Sequence, residues 1–279
     1  MQLFTRIDAL REFRNECRMK QRRVALVPTM GYLHEGHLSL ARLAAASSDV
    51  VIVSIFVNPT QFNNPADLAT YPRDLKRDLD LLEKEDFKIV FAPHEDELYA
   101  EGFQSWVNVA RLTETLEGAH RPGHFQGVAT VVSMLFNAVA PDAAVFGEKD
   151  FQQLRVIEQL VKDLKFPVEI IRAPIVREDD GLALSSRNVR LSPEERSSAL
   201  LISKGLFEAR ALFQKGERNG SKLTAVVHSQ LSQSPLIAPE YVELVREDDL
   251  TPIAQAAPGA RILLAATVGK VRLIDNLSL

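Results

Sequence analysis

The residues of this chain best suited to chemistry are histidines and a few basic side chains placed just after apolar runs. Four of the six histidines fall in two short stretches, His34 with His37 and His120 with His124. The first pair lies in Pro28-Thr29-Met30-Gly31-Tyr32-Leu33-His34-Glu35-Gly36-His37-Leu38. Its glycines allow close backbone approach, and a helix beginning near Gly36 would aim free N–H groups at an anion. Both imidazoles could donate to phosphate oxygens there. Zinc fits less well: a zincin helix carries ligands at i and i+4, whereas these stand at i and i+3 with a glycine between.

Further candidates follow the same arrangement. In Leu116–Gly127, three glycines and Pro122 predict a loop through Pro122-Gly123; Arg121 can fork onto a carboxylate or phosphate. His124 opens the next helix, while His120 reads equally well as solvated loop. In Phe146-Gly147-Glu148-Lys149-Asp150-Phe151-Gln152-Gln153, Lys149 offers a point charge and Gln153 a polar contact one turn into a helix; Asp150 caps that helix, and capping alone would explain it. Ser185-Ser186-Arg187 makes either a phosphate clamp or a plain surface turn. Asn58 and Gln61 suit a hydroxyl-bearing substrate, or an Asx turn. Asp74 and Asp78 lie one helical turn apart and could reach a metal, but Lys76 and Arg77 beside them suggest an ordinary solvated face. There is no GxxxxGK[ST] and no GxGxxG after a strand.

These residues need a scaffold that brings strand ends together. Residues 24–28, 50–57, 88–92, 143–147 and 168–172 are short runs rich in Val, Ile and Phe; between them stretches of helical spacing cover 37–47, 72–86, 126–140 and 150–164. Near-continuous apolar strands alternating with amphipathic helices predict a parallel sheet covered on both faces, which binds ligands beyond its strands' carboxyl ends. After 175 the texture changes to helices at 193–214 and 221–233, then strands at 241–246, 261–267 and 271–276. A domain boundary near 175 separates an α/β domain from a smaller α+β domain.

Composition narrows the partners. A net charge of −4 argues against a large surface for DNA or RNA, though not against a small anion held in one cleft. No apolar run approaches the ~18–20 residues of a spanning helix, so no membrane partner is expected. The single cysteine, Cys17, cannot form an internal disulfide, and no signal peptide is visible; a cytoplasmic location is the expectation.

Taken together, PTMGYLHEGH, FVNPTQF, YPRDL, LEGAHRPGHFQGV, FGEKDFQQL and GLALSSRN resemble the pantothenate synthetase (pantoate–β-alanine ligase) family of the histidine-motif nucleotidyltransferase superfamily. The resemblance runs the length of the chain. It implies a Rossmann-like ATP- and pantoate-binding domain over 1–175 and a smaller α+β lid over 176–279, in a cytoplasmic homodimer. It implies ligation of pantoate and β-alanine with ATP as substrate and Mg²⁺ as cofactor, through a pantoyl adenylate. Met30, Gly31, Tyr32, Leu33, His34, Glu35, Gly36 and His37 would then bind ATP, with His37 the proton donor. Gly147, Glu148, Lys149, Asp150 and Val176 would line the adenosine pocket, and Leu184, Ser185, Ser186 and Arg187 cover the triphosphate. The catalytic set implied is His34, His37, Lys149 and Arg187. Gln61 and Gln153 would hold pantoate, Gln61 would lie near β-alanine, and Asp78 would stand on the metal side. Met134 and Arg246 depart from the family pattern, outside these motifs.

Two rivals remain in view. A nucleotidyltransferase acting on a phosphate ester has no need for an amine acceptor pocket, which Gln61, Gln153 and the length beyond 175 favour. A non-catalytic ATP-binding module would have no use for the full set of His34, His37, Lys149, Ser185, Ser186 and Arg187.

Overall fold

The computed structural model describes residues 1–279. The chain divides into two compact units, Met1–Glu148 with Gln153–Pro174, and Lys149–Gln152 with Ile175–Leu279.

The first unit runs β1 (Gln2–Phe4), α1 (Ile7–Met19), β2 (Val24–Thr29), α2 (Glu35–Ala45), β3 (Val50–Ile55), α3 (Pro65–Ala69), α4 (Leu75–Lys84), β4 (Ile89–Phe91), α5 (Glu95–Leu98), α6 (Glu117–His120), α7 (His124–Val139), β5 (Ala143–Gly147), α8 (Phe151–Leu164, from Gln153 onward) and β6 (Glu169–Ala173). Its strands form one parallel sheet in the order β1-β4-β3-β2-β5-β6. β2 and β3 are buried almost throughout, as their near-continuous apolar runs require when helices cover both faces. Ala25, Val27, Val51, Val53, Val90, Ala143 and Val145 meet Leu33, Leu38, Ala41 and Ala44 in one apolar cluster. The order of the strands reverses at β2, which has β3 on one side and β5 on the other. Crevices at such a reversal are where open parallel sheets bind ligands, and the loops after β2, β3 and β5 carry most of the candidate residues.

The structure differs from the sequence reading at several single elements, among them α3, α5 and, in the second unit, a strand that begins at Ile237. β1 is an added edge strand, pairing Gln2, Leu3 and Phe4 with Ile89, Val90 and Phe91; three residues are too few for any periodicity to show. The helix predicted over 72–86 is trimmed to Leu75–Lys84, because Asp74 accepts from the Arg77 amide and caps it. The stretch predicted as loop holds a four-residue helix, α6, before Gly123 turns the chain into α7 at φ +81°.

The second unit contains a 3-10 turn (Ser186–Arg190), α9 (Pro193–Gln214), α10 (Gly220–Leu231), β7 (Ile237–Arg246), β8 (Ala260–Val268) and β9 (Val271–Ser278). The strands form an antiparallel meander in chain order. α9 starts with a reciprocal cap: Ser192 Oγ accepts from the Glu195 amide at 3.2 Å, and Glu195 accepts from the Ser192 amide at 2.8 Å. Ile202, Leu206, Leu223, Val227, Ile262 and Leu264 form the centre of its core. Beside it Arg177 makes a bidentate pair with the buried Asp275 at 2.6 and 2.8 Å. No helix in either unit is long and apolar enough to cross a membrane.

Candidate active site

The loop leaving β2 turns sharply. Thr29 Oγ1 donates to the Ser54 carbonyl (2.8 Å) and accepts from the Gly31 amide (3.2 Å). Gly31 and Tyr32 both have left-handed backbones, φ +77° and +49°. Glycine adopts that conformation freely, and a tyrosine does so at a cost of about 1–2 kcal/mol. The turn delivers His34 to the position preceding α2 and His37 into its first turn. Their rings lie 4.0 Å apart between centroids. The His34 amide donates to His37 Nδ1 at 3.3 Å. An accepting Nδ1 leaves the neutral ring's proton on Nε2. The His37 amide already donates to the His34 carbonyl at 2.8 Å, so the amides of Glu35 and Gly36 are the ones that carry the positive end of the helix dipole toward a ligand. Donors of this kind are chemically suited to hold an anion and offer it a proton.

Asp78, from α4, secures that turn. Its Oδ2 accepts from the Tyr32 amide and its Oδ1 from the Leu33 amide, each at 2.7 Å. Arg77 Nη1 gives the carboxylate its third donor, the second on Oδ1, at 3.1 Å; its Nη2 reaches the Leu33 carbonyl at 2.9 Å, and it lies over the Tyr32 ring. Asp78 departs from the expected solvated face, being 1% exposed, whereas Asp74, Lys76 and Arg77 are exposed as expected. Burial pushes its carboxyl above the ordinary carboxylate range, while the two amides and Arg77 act in the opposite direction.

Gln61 ends a 3-10 turn after β3 and is buried. Its Nε2 lies 2.7 Å from Met30 Sδ, and its Oε1 accepts from Asn58 Nδ2 at 3.3 Å. Asn58 in turn donates to the Gly127 carbonyl (3.1 Å) and accepts from Tyr99 (2.8 Å) and Thr60 (2.9 Å). The Gln61 carbonyl accepts from His124 Nδ1 at 2.8 Å and Arg121 Nη2 at 3.1 Å. A carbonyl cannot donate, so Nδ1 carries the His124 proton and Nε2 faces Arg121 Nη1, 3.2 Å away, as acceptor. Arg121, read from sequence as able to fork onto an anion, and His124, which opens α7, are therefore engaged in holding Gln61. His120 is exposed at the end of α6. Sequence reasoning missed Tyr99, whose partners come from a distant loop, and Gly127, which lets α7 approach Thr60: a Cβ there would stand 2.6 Å from the Thr60 carbonyl oxygen.

Gly147 and Glu148 close the β5 end of the same unit, and Gln153 is half-buried in α8. In the second unit Lys149 has its carbonyl fixed by Asn276 Nδ2 at 2.9 Å, with its Nζ 3.9 Å from Asp150. The Leu184 amide donates to the Val176 carbonyl at 3.0 Å, and Ser185 Oγ accepts from the Arg187 amide at 3.2 Å. Ser186 is buried. Of the two departures from the family pattern, Met134 is half-buried in α7, and exposed Arg246 pairs with Asp249.

Comparison with known proteins adds an independent observation. The family model described as pantoate-beta-alanine ligase matches residues 2–278. The chain belongs to the pantoate–β-alanine ligase family. Among curated members, the pantothenate synthetase of Thermoanaerobacter sp. (strain X514) is 53% identical over 98% of this chain and 96% of its own length. That of Aquifex aeolicus is 50% identical, covering 98% and 97%. A crystal structure of pantothenate synthetase from Thermus thermophilus superposes with a TM-score of 0.94 at 44% identity, over 100% of this chain and 99% of that one. The pantoate–β-alanine ligase of Francisella tularensis, solved with beta-gamma ATP and beta-alanine, has a TM-score of 0.82 at 37% identity, covering 100% and 97%. The activity of this chain is accordingly that of a pantoate–β-alanine ligase, and its Rossmann-like sheet with a small antiparallel unit is the fold of the family.

Proposed function

We propose that the ligation is driven by ATP in two steps. A pantoate carboxylate oxygen attacks the α-phosphorus, forming the acyl–phosphate bond as the bond to pyrophosphate breaks. The β-alanine amine then attacks the acyl carbon, AMP leaves, and the nitrogen loses a proton. The Francisella tularensis relative, crystallised as a complex with beta-gamma ATP and beta-alanine, supports these substrates.

Each residue has work in this scheme. The obstacle in the first step is two anions approaching, so donors aimed at the phosphate oxygens matter most. His34, His37 and the amides of α2 face that charge; Met30 to His37 form the nucleotide loop. The single observation carrying the reading is the His34 amide on His37 Nδ1, which keeps a proton on Nε2 for the phosphate. Gln61 and Gln153 bind pantoate, and Gln61 also meets β-alanine. Lys149 and Arg187 neutralise phosphate, Gly147, Glu148, Asp150 and Val176 surround adenosine, and Leu184, Ser185 and Ser186 cover the phosphates. Residues 176–279 act as the lid that keeps water from the mixed anhydride. The working enzyme is a cytoplasmic homodimer, as the family resemblance implies.

Magnesium enters with ATP, as the counter-ion of its phosphates. Asp78 does not fit as its ligand: Oδ1 already accepts two donors and Oδ2 a third, beside a guanidinium.

Isotope exchange between pyrophosphate and ATP tests the scheme. Exchange should require pantoate, proceed without β-alanine, and fall at least about 100-fold in His37→Ala. Exchange indifferent to pantoate would overturn the adenylate; full exchange by the variant would overturn the role of His37.

A further inference from the structure

The family resemblance places Asp78 beside the metal, yet its oxygens are spent on the protein's own backbone. We propose instead that Asp78, with Arg77, is a positioning residue that locks the histidine loop in its anion-binding shape. This rests on reading Met30 to His37 as the ATP loop.

The turn cannot hold this shape unaided. Tyr32 sits in a left-handed backbone that a non-glycine residue keeps only where its surroundings over-determine it. The bond that over-determines it comes from Asp78, which accepts from the Tyr32 amide, while the next amide, of Leu33, meets the other oxygen. Arg77 takes the Leu33 carbonyl and covers the Tyr32 ring, so the amide and the carbonyl of Leu33, in successive peptides, are both held from α4. The fit leaves no slack, for a Cβ on Gly31 would lie 3.0 Å from Asp78 Oδ2. Leu33, fully buried in the sheet's core, fixes the far side. His34 follows directly, so its ring and the start of α2 inherit the position of these two peptides. A carboxylate suits the task because it accepts on both oxygens and donates nothing.

Hydrogen exchange of Asp78→Asn and Asp74→Asn tests the clamp apart from catalysis. Asparagine leaves one of the two backbone amides facing an NH₂ group. Amide exchange in a peptide spanning residues 31–34 should accelerate at least about tenfold, and the KM for ATP should rise while the magnesium concentration giving half-maximal rate stays put. Asp74→Asn keeps its helix cap and should match the parent in all three readouts. Should Asp78→Asn fail to fold, Arg77→Lys, which loses the Leu33 bond but keeps the charge, should accelerate the same exchange a few-fold. Unchanged exchange would overturn the clamp. A shifted magnesium requirement, relieved by excess magnesium, would restore Asp78 to the metal. Accelerated exchange with an unchanged KM for ATP would leave the clamp standing and overturn the assignment of this loop to ATP.

Discussion

Replacing Gly127 by alanine sets two opposed effects against each other in one substitution. Gly127 lies within α7, where alanine is favoured over glycine by about 1 kcal/mol. If helix propensity governed the site, Gly127→Ala would stabilise the protein. The new Cβ, however, would stand 2.6 Å from the Thr60 carbonyl oxygen and 2.7 Å from its carbon, both backbone atoms that cannot rotate aside. Ordinary contact begins at 3.4 Å, so the turn carrying Gln61 must retreat by about 0.8 Å. Overpacking of this kind costs about 1–3 kcal/mol. The retreat also strains the Asn58 bond to the Gly127 carbonyl (3.1 Å), worth a similar amount if a buried polar group is orphaned. Two losses of about 1–3 kcal/mol against a gain of about 1 leave a net destabilisation of about 1–5 kcal/mol. Because Gln61 moves with the turn, the KM for pantoate should rise at least about tenfold, with a smaller change in the KM for ATP. Denaturant titration and initial-rate kinetics on the same preparation measure both. A variant at least as stable as the parent, with its pantoate KM unchanged, would refute the packing argument.

Two other substitutions probe buried polar groups. Tyr99→Phe removes the hydroxyl that donates to Asn58 at 2.8 Å and should cost about 1 kcal/mol. Burial raises the Tyr99 phenol above its ordinary value of 10.0 despite its bonds to Thr60 and Asn58. The folded state thus keeps a proton that the unfolded chain releases above that pH, and stability falls as pH climbs from about 10 through the folded value. Phenylalanine should flatten that part of the stability profile; an equally steep profile would contradict the assignment. In the second unit, Asp275→Ala strands Arg177 without its bidentate partner and should cost about 3–5 kcal/mol, whereas Arg177→Met with Asp275→Leu should cost less. Equal losses in chemical denaturation would argue against a buried ion pair as the source.

What could be read from the sequence followed physical range. The parallel sheet was legible because β2, β3 and β5 are near-continuous apolar runs, and Thr-Met-Gly followed by paired histidines stood where a strand meets a helix. Features set by contacts between distant segments were not. Asp78 and Arg77 read as a charged helix face because their partners, the peptides of Tyr32 and Leu33, are more than forty residues away. A signal did exist: Asp78 precedes buried Leu82 by four residues and so shares the inward face of α4. Arg121 and His124 looked available for a ligand because nothing nearby in the sequence announces the Gln61 carbonyl. β1 was invisible for want of length.

The allocation of Lys149–Gln152 to the second unit bears on how the polypeptide can be dissected and how it assembles during synthesis. Phe151 lies beneath the Arg261 guanidinium, 3.8 Å from ring centroid to charge, and Asn276 ties down the Lys149 carbonyl. Those partners are synthesised more than a hundred residues later, so a nascent chain that has completed its parallel sheet still carries an aromatic ring awaiting its cover. A fragment beginning at 176 would lack that ring, and one ending at 175 would expose it. The two halves are therefore poor candidates for separate expression, and folding of the smaller one must wait until its last strand has been made.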